Sequence, residues 1–280
     1  MALSPATRMP LAMPALSSAA SLHVTRVGSA TLGRLARAPE EAARAHSVFE
    51  HAINLHWHDG HLLTLQGPGL LAAPFAVALS ALPPKSALAP GTIIHRSCLD
   101  WTRAESVSLE VPASRPAVPA DILPKARGAA TLRAGRGRRA RRALSNSLVE
   151  GDGNAFAAAA TDLIGLGEGL TPAGDDCVVG ALAAIHHLAP GWLEPRAVRV
   201  IAEAARHRTT DVARDFLLEA LAGRFAEPVL AILAAPSAAR ATDAARRLLA
   251  MGATSGADTL DGLRLAGCAL ARRAAPLPIM

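Results

Sequence analysis

The chain has 280 residues, of which 51% are hydrophobic and 19% charged, with a formal net charge of +6 and three cysteines. That length and apolar content allow one large domain or two modest ones around a sizeable core, and no apolar run approaches the roughly 18–20 uninterrupted residues of a membrane span. Cys98, Cys177 and Cys268 are odd in number, widely spaced and without a CxxC or Cys/His ligand pattern, which argues against a disulfide framework or structural zinc and favours a reducing cytoplasm.

Residues 1–20, "MALSPATRMPLAMPALSSAA", have the small residues and scattered apolar character of a leader. Pro10 and Pro14 interrupt any helical signal core, so the expectation is a disordered leader. Residues 45–66, "AHSVFEHAINLHWHDGHLLTLQ", alternate apolar and polar side chains around Asp59-Gly60. A two-residue turn there predicts a hairpin in which His58 faces His61, Trp57 faces Leu62 and Leu55 faces Thr64. His56 and His58 would then share a face with His61. That geometry could hold a metal, although Asp59 is the only nearby carboxylate and hairpin tips commonly show polar residues to water. Further strands are expected at 75–80, 91–96 and 106–111, separated by breakers such as "LPPKSALAPG".

Four prolines in "PASRPAVPADILP" (112–124) mark a boundary. Residues 125–142 then carry eight basic residues and no acid, so that removing them leaves a net charge of −2. An arginine tract can grip phosphates. Here no aromatic residue interleaves with it for base stacking, and a solvated basic linker over 125–144, including the Arg-rich stretch 133–142, is the better reading.

Beyond it the pattern is helical. Segments 154–164, 173–189, 195–207, 211–222, 227–234, 238–250 and 257–273 are rich in Ala and Leu at helical spacing, with Gly223 and Gly252 where helices stop. The expected fold is α+β: a β-rich N-terminal half over 21–124, a hairpin-containing sheet or barrel, followed by an all-helical C-terminal half over 145–280.

The most specific stretch is "GLGEGLTPAGDD", residues 165–176. Gly167 and Gly169 permit tight turns, Thr171 is placed to cap a helix whose first residue is Pro172, and Gly174, Asp175 and Asp176 follow in the first turn. A cap explains one aspartate, favourably placed at the positive end of the helix dipole. Two adjacent aspartates repel unless something positive neutralises them. A glycine-lined loop at a helix start can present N–H groups to an anion, and the carboxylates of Asp175 and Asp176 could hold Mg²⁺. Alternatively, one aspartate acts as a base or grips a substrate amide. "RHRTTDVARD" sets Thr209, Thr210 and Asp211 at another helix start, and "GATSGADTLDG" sets Thr254, Ser255, Gly256 and Asp258 at a third, with Ser255 and Asp258 spaced as a capping pair. Each alone reads first as a cap. Together they predict three helix starts converging on one pocket.

These motifs, with "HSVFEHAINLHW" and "GHLLTL" in the N-terminal half, resemble a bacterial domain-of-unknown-function family that includes the AllH-type subunit of oxamate carbamoyltransferase. The resemblance covers most of residues 45–270. It implies a link to the enzyme that interconverts oxalurate and phosphate with oxamate and carbamoyl phosphate in allantoin breakdown, and it implies other subunits as partners. Family members have also been described as carboxylases. Gly167, Gly169, Thr171, Pro172, Gly174, Asp175, Asp176, Ser255, Gly256 and Asp258 match the family pattern. Glu168 stands where the family has proline and Ala173 where it has serine, so no role for that serine carries over. Cys177 replaces a bulky apolar residue and reads as core, since acids beside a thiol raise its pKa.

The expectation is a cytoplasmic subunit of a carbamoyltransferase-like enzyme that binds a small anion or amide. Gly167, Gly169 and Gly174 would shape the loop, Thr171, Thr210 and Ser255 would donate hydrogen bonds, and Asp175, Asp176 and Asp258 would bind a cation or substrate N–H groups. The competing expectation is a non-catalytic assembly subunit whose glycine-aspartate motif fixes helix packing.

Overall fold

The computed structural model describes residues 21–37, 42–57, 60–112, 120–125 and 128–275. The leader, His58, Asp59 and Arg127 lie outside them. The chain divides into two units. The first comprises the described residues of 21–27, 32–70 and 76–106; the second comprises 28–31, 71–75 and the described residues from 107 onward. The architecture is α+β, with strands in the first half and helices in the second.

The first unit is built on β1 (Leu22–Gly28), α1 (Ser29–Ala36), β2 (Ala42–Val48), β3 (Ala52–His56), β4 (Leu62–Gln66), β5 (Ala76–Leu79), β6 (Ile93–His95), β7 (Leu99–Asp100) and β8 (Glu105–Val107). The strand order is β6-β2-β3-β4-β5-β1-β7, with β8 also paired to β1. Two junctions, β4–β5 and β1–β7, are parallel. Val24, Leu55, Leu65, Val77 and Ile94 fill its core, as expected of strands with one face turned inward.

The central hairpin forms, but its register differs by one residue from that of a two-residue turn. Leu55 lies opposite Leu63 and His56 opposite Leu62, because the Trp57 N–H donates to the His61 carbonyl. Three positions therefore separate the closing pair, and Gly60 takes a left-handed φ of 79°, as three-residue hairpin loops require. A one-residue slip exchanges faces, so His56 and His61 project to opposite sides and do not form the shared histidine face. Instead His56 stacks on His46 of β2, ring centroids 4.7 Å apart.

The second unit contains α2 (Ala130–Arg133), α3 (Gly135–Glu150), α4 (Gly153–Leu163), α5 (Ala173–Leu188), α6 (Pro195–Arg208), α7 (Asp211–Leu221), α8 (Glu227–Leu233), α9 (Ala238–Leu249) and α10 (Ser255–Ala274). The basic tract expected as linker up to 144 is mostly helix. Its Ala140, Leu144 and Leu148 are buried at helical spacing, which anchors one face of α3, while Arg138, Arg139 and Arg142 are exposed. Arg141 is engaged, its Nη2 lying 2.5 Å from an Asp261 carboxylate oxygen on α10.

Every residue of α5 from Ala173 to Ile185 is buried, so this helix is the unit's centre and is apolar nearly all round. Its most extensive partner is α10. The two helices touch backbone to backbone: a Cβ on Gly180 would collide with the Thr259 carbonyl, and one on Gly262 with the Cys177 carbonyl. Cys177 lies in this seam, its thiol pushed up to about 12 by burial. Among the described residues no helix is long and apolar enough to cross a membrane.

Candidate functional site

The loop from Gly165 to Pro172 reverses the chain between α4 and α5. Gly165, Gly167 and Gly169 all have positive φ, of 77°, 130° and 89°, a region that only glycine enters without strain. Gly174 serves a different need, since a Cβ there would collide with the Leu163 carbonyl. Thr171 does not cap α5. The helix starts at Ala173, Pro172 is its N-cap, and no side chain caps it. The Thr171 hydroxyl instead lies 2.6 Å from that of Ser255. Ser255 likewise is no cap: it is the first residue of α10, whose N-cap, Thr254, makes no side-chain capping bond. Gly256 presses against the Leu248 carbonyl, with no room for a Cβ.

The two adjacent aspartates turn to different neighbours. Asp175 accepts from the Gly165 N–H (3.1 Å to Oδ1) and from the Thr209 hydroxyl (2.8 Å to Oδ2). It thereby ties the glycine loop to the residue before the α7 cap. Burial raises its pKa to about 6 against these hydrogen bonds. Thr210 caps α7 by accepting from the Ala213 N–H at 3.1 Å and donates its hydroxyl to the Leu170 carbonyl. The starts of α5, α7 and α10 are thus stitched together by hydroxyl and carboxylate groups.

Asp176 points the other way. Burial pushes its pKa well above the ordinary carboxylate range, and the charges of Asp258 and Asp175 push it further, while the Ser255 and Thr171 hydroxyls oppose the shift. Its Oδ2 is buried with no hydrogen-bond partner among the described residues. Asp258 accepts from the Ala129 N–H at 2.6 Å and its Oδ2 is also unpartnered; burial raises its pKa as well. A buried carboxylate oxygen without a donor carries a desolvation cost, which a proton or the donor of a ligand would relieve.

Asp176 lines a cavity of about 190 Å³, together with Thr171, Ser255, Gly256 and Thr259 from the two helix starts. The rest of its lining is largely apolar and includes Phe216 of α7, Phe225, Val229 of α8, Leu248 of α9 and Met251. Arg224 also reaches the wall, with its Nε donating to Glu219. Asp175, Thr210 and Asp258 do not line this cavity. Gly167 and Gly169 shape the loop leading to it. Phe216, Arg224 and Phe225 escaped the sequence reading because nothing near them reads as a motif; in the strand-like turn after α7, Arg224 is bridged to Glu110, a pairing between residues far apart in the chain.

Among the described residues, no cluster of three or more His, Cys, Asp or Glu side chains capable of holding a metal includes Asp175, Asp176 or Asp258. Asp175 already receives donors on both carboxylate oxygens.

A strand-built first unit and a helical second unit, the latter with a cavity lined by a buried acid and two hydroxyls at joined helix starts, define an α+β protein. Residues 163–267 match the family model of oxamate carbamoyltransferase subunit AllH, and residues 18–110 match that of the AllH family N-terminal domain. The chain belongs to the AllH family. No solved structure matches it.

Proposed function

We propose that this protein is a subunit of an oxamate carbamoyltransferase and that its cavity holds the small amide-bearing acid of that reaction, of the oxamate or oxalurate type. The observation that carries the reading is the unpartnered Asp176 Oδ2 at the cavity wall, beside the Thr171 and Ser255 hydroxyls. A carboxyl oxygen with no donor of its own is suited to an amide N–H. The two hydroxyls can each donate and accept, which suits the amide and carboxylate oxygens of such an acid. Asp175 acts by holding the loop rather than by touching substrate.

Carbamoyl phosphate is a poorer fit to this cavity. The single guanidinium in the wall is paired with Glu219, and a dianion beside Asp176 gains little compensation. Other subunits would bring the carbamoyl donor.

Calorimetric titration of the purified chain with oxamate, carbamoyl phosphate and Mg²⁺ separately tests the reading. Saturable heat with oxamate, abolished by Asp176→Ala, is the expected result. The Mg²⁺ arm tests a cation held by Asp175 and Asp176. Silence in all arms, with full activity restored when the chain is added to the other subunits even as Asp176→Ala, would instead establish an assembly subunit. The close-packed glycines Gly174, Gly180, Gly256 and Gly262 are the observation that favours that second reading.

A further inference from the structure

The cavity is larger and more apolar than a hydrogen-bonding pocket for a four-carbon-or-smaller acid requires. Asp176 of α5, Thr171 just before it, Ser255 and Thr259 of α10 and the paired Arg224 supply its polar lining, whereas Phe216 of α7, Phe225, Val229 of α8 and Met251 between α9 and α10 supply an apolar wall. An apolar cavity of about 150 Å³ already accepts a benzene ring, and this one measures about 190 Å³. The phenyl ring of Phe216 is held edge-on by Phe75, centroids 4.6 Å apart, which braces this part of the apolar wall. Small polar ligands would leave that wall against water, at a cost proportional to the apolar area left wet.

We infer that the cavity binds an uncharged carboxamide or ureido group against Asp176 Oδ2 together with a flat apolar body, of about nine non-hydrogen atoms in all, against the Phe216–Phe225–Met251 wall. The inference rests on the proposed role of Asp176 as amide acceptor and extends it to the other half of the site. The apolar body fills the space that oxamate leaves, and the carboxamide supplies the donor that Asp176 Oδ2 lacks. Arg224, neutralised by Glu219, does not demand a charged ligand.

Benzamide, acetamide, toluene and oxamate are the probes, titrated into the full-length wild-type chain labelled with ¹³C at its methionine methyl groups. The Met251 signal is assigned by Met251→Leu. Benzamide should shift the Met251 methyl saturably and bind at least tenfold more tightly than acetamide, which lacks the ring, and at least fivefold more tightly than toluene, which lacks the amide. Asp176→Ala should weaken benzamide about tenfold while leaving toluene unchanged. Acetamide binding as well as benzamide, or an unmoved Met251 signal at saturating benzamide, overturns the inference. If oxamate binds and benzamide does not, this inference falls while the carbamoyltransferase reading stands; if benzamide binds and oxamate does not, the reverse holds. The wild-type readout does not depend on any variant folding.

Discussion

The hydroxyl of Thr171 lies 2.6 Å from that of Ser255, 84 positions away in the chain, and this contact joins the start of α5 to the start of α10 beside the cavity that both residues line. Both hydroxyls also oppose the upward shift of Asp176. The same two hydroxyls therefore bear on both helix placement and the state of the acid.

Breaking it should cost modestly and non-additively. Thr171→Val and Ser255→Ala are each expected to lower unfolding free energy by about 1 kcal/mol, and the double variant should lose less than the sum, since one bond serves both residues. Urea denaturation of the four proteins checks this; strict additivity would place the two hydroxyls in separate interactions.

Asp175 predicts a pH dependence. Its folded pKa of about 6 lies above the value of 3.8 taken for the free side chain, so the folded state holds the proton longer than the unfolded state. Stability from this group is full below about pH 4 and declines as pH rises through 6, by about 3 kcal/mol for a shift of roughly two units. Asp175→Asn has no such titration. The difference in unfolding free energy between the variant and the wild type should move toward the variant by that order between pH 4 and 7, whatever its value at pH 4. A difference that stays constant would show that the carboxylate ionises normally.

The helix seam predicts a contrast between two glycines. Gly262→Ala places a methyl group into the Cys177 carbonyl and should cost about 3 kcal/mol, as overpacking between rigid backbones does. Gly153→Ala at the start of α4 meets nothing within 4 Å, and should be neutral or stabilise by less than about 1 kcal/mol. Thermal melts of the pair distinguish close packing from a general intolerance of glycine replacement.

Arg141 and Asp261 form a half-buried ion pair, with side chains 20% and 18% exposed. Burial raises the Asp261 pKa and Arg141 lowers it. Arg141→Ala removes the opposing influence, leaving a desolvated acid. We expect a loss of about 2 kcal/mol, less than for a fully buried pair because water still reaches it, and the loss should grow as pH rises and Asp261 is forced to ionise. Asp261→Asn in the same background should recover part of it.

Much of this was readable from the chain alone. Alternation of apolar and polar residues placed β3 and β4, and the 3.6-residue spacing of Ala and Leu placed α4 to α10, because these periodicities are local and each side chain reports its own face. The motif residues Thr171, Asp176, Ser255 and Gly256 could be marked as candidates, since glycine, hydroxyl and carboxylate at a helix start have few uses. The tertiary structure decided the rest. The adjacent Asp175 and Asp176 look alike in sequence, yet successive helical positions project about 100° apart, so one ties down a loop and the other faces a cavity. Gly174 and Gly256 serve close backbone approach, which depends on a partner segment distant in the chain. Whether Leu55 pairs with Leu63 or Thr64 turned on one loop residue, and the wall of Phe216, Phe225 and Met251 exists only because three separate segments pack around α5. Local chemistry is written in neighbouring residues, whereas a cavity is written in which distant segments meet.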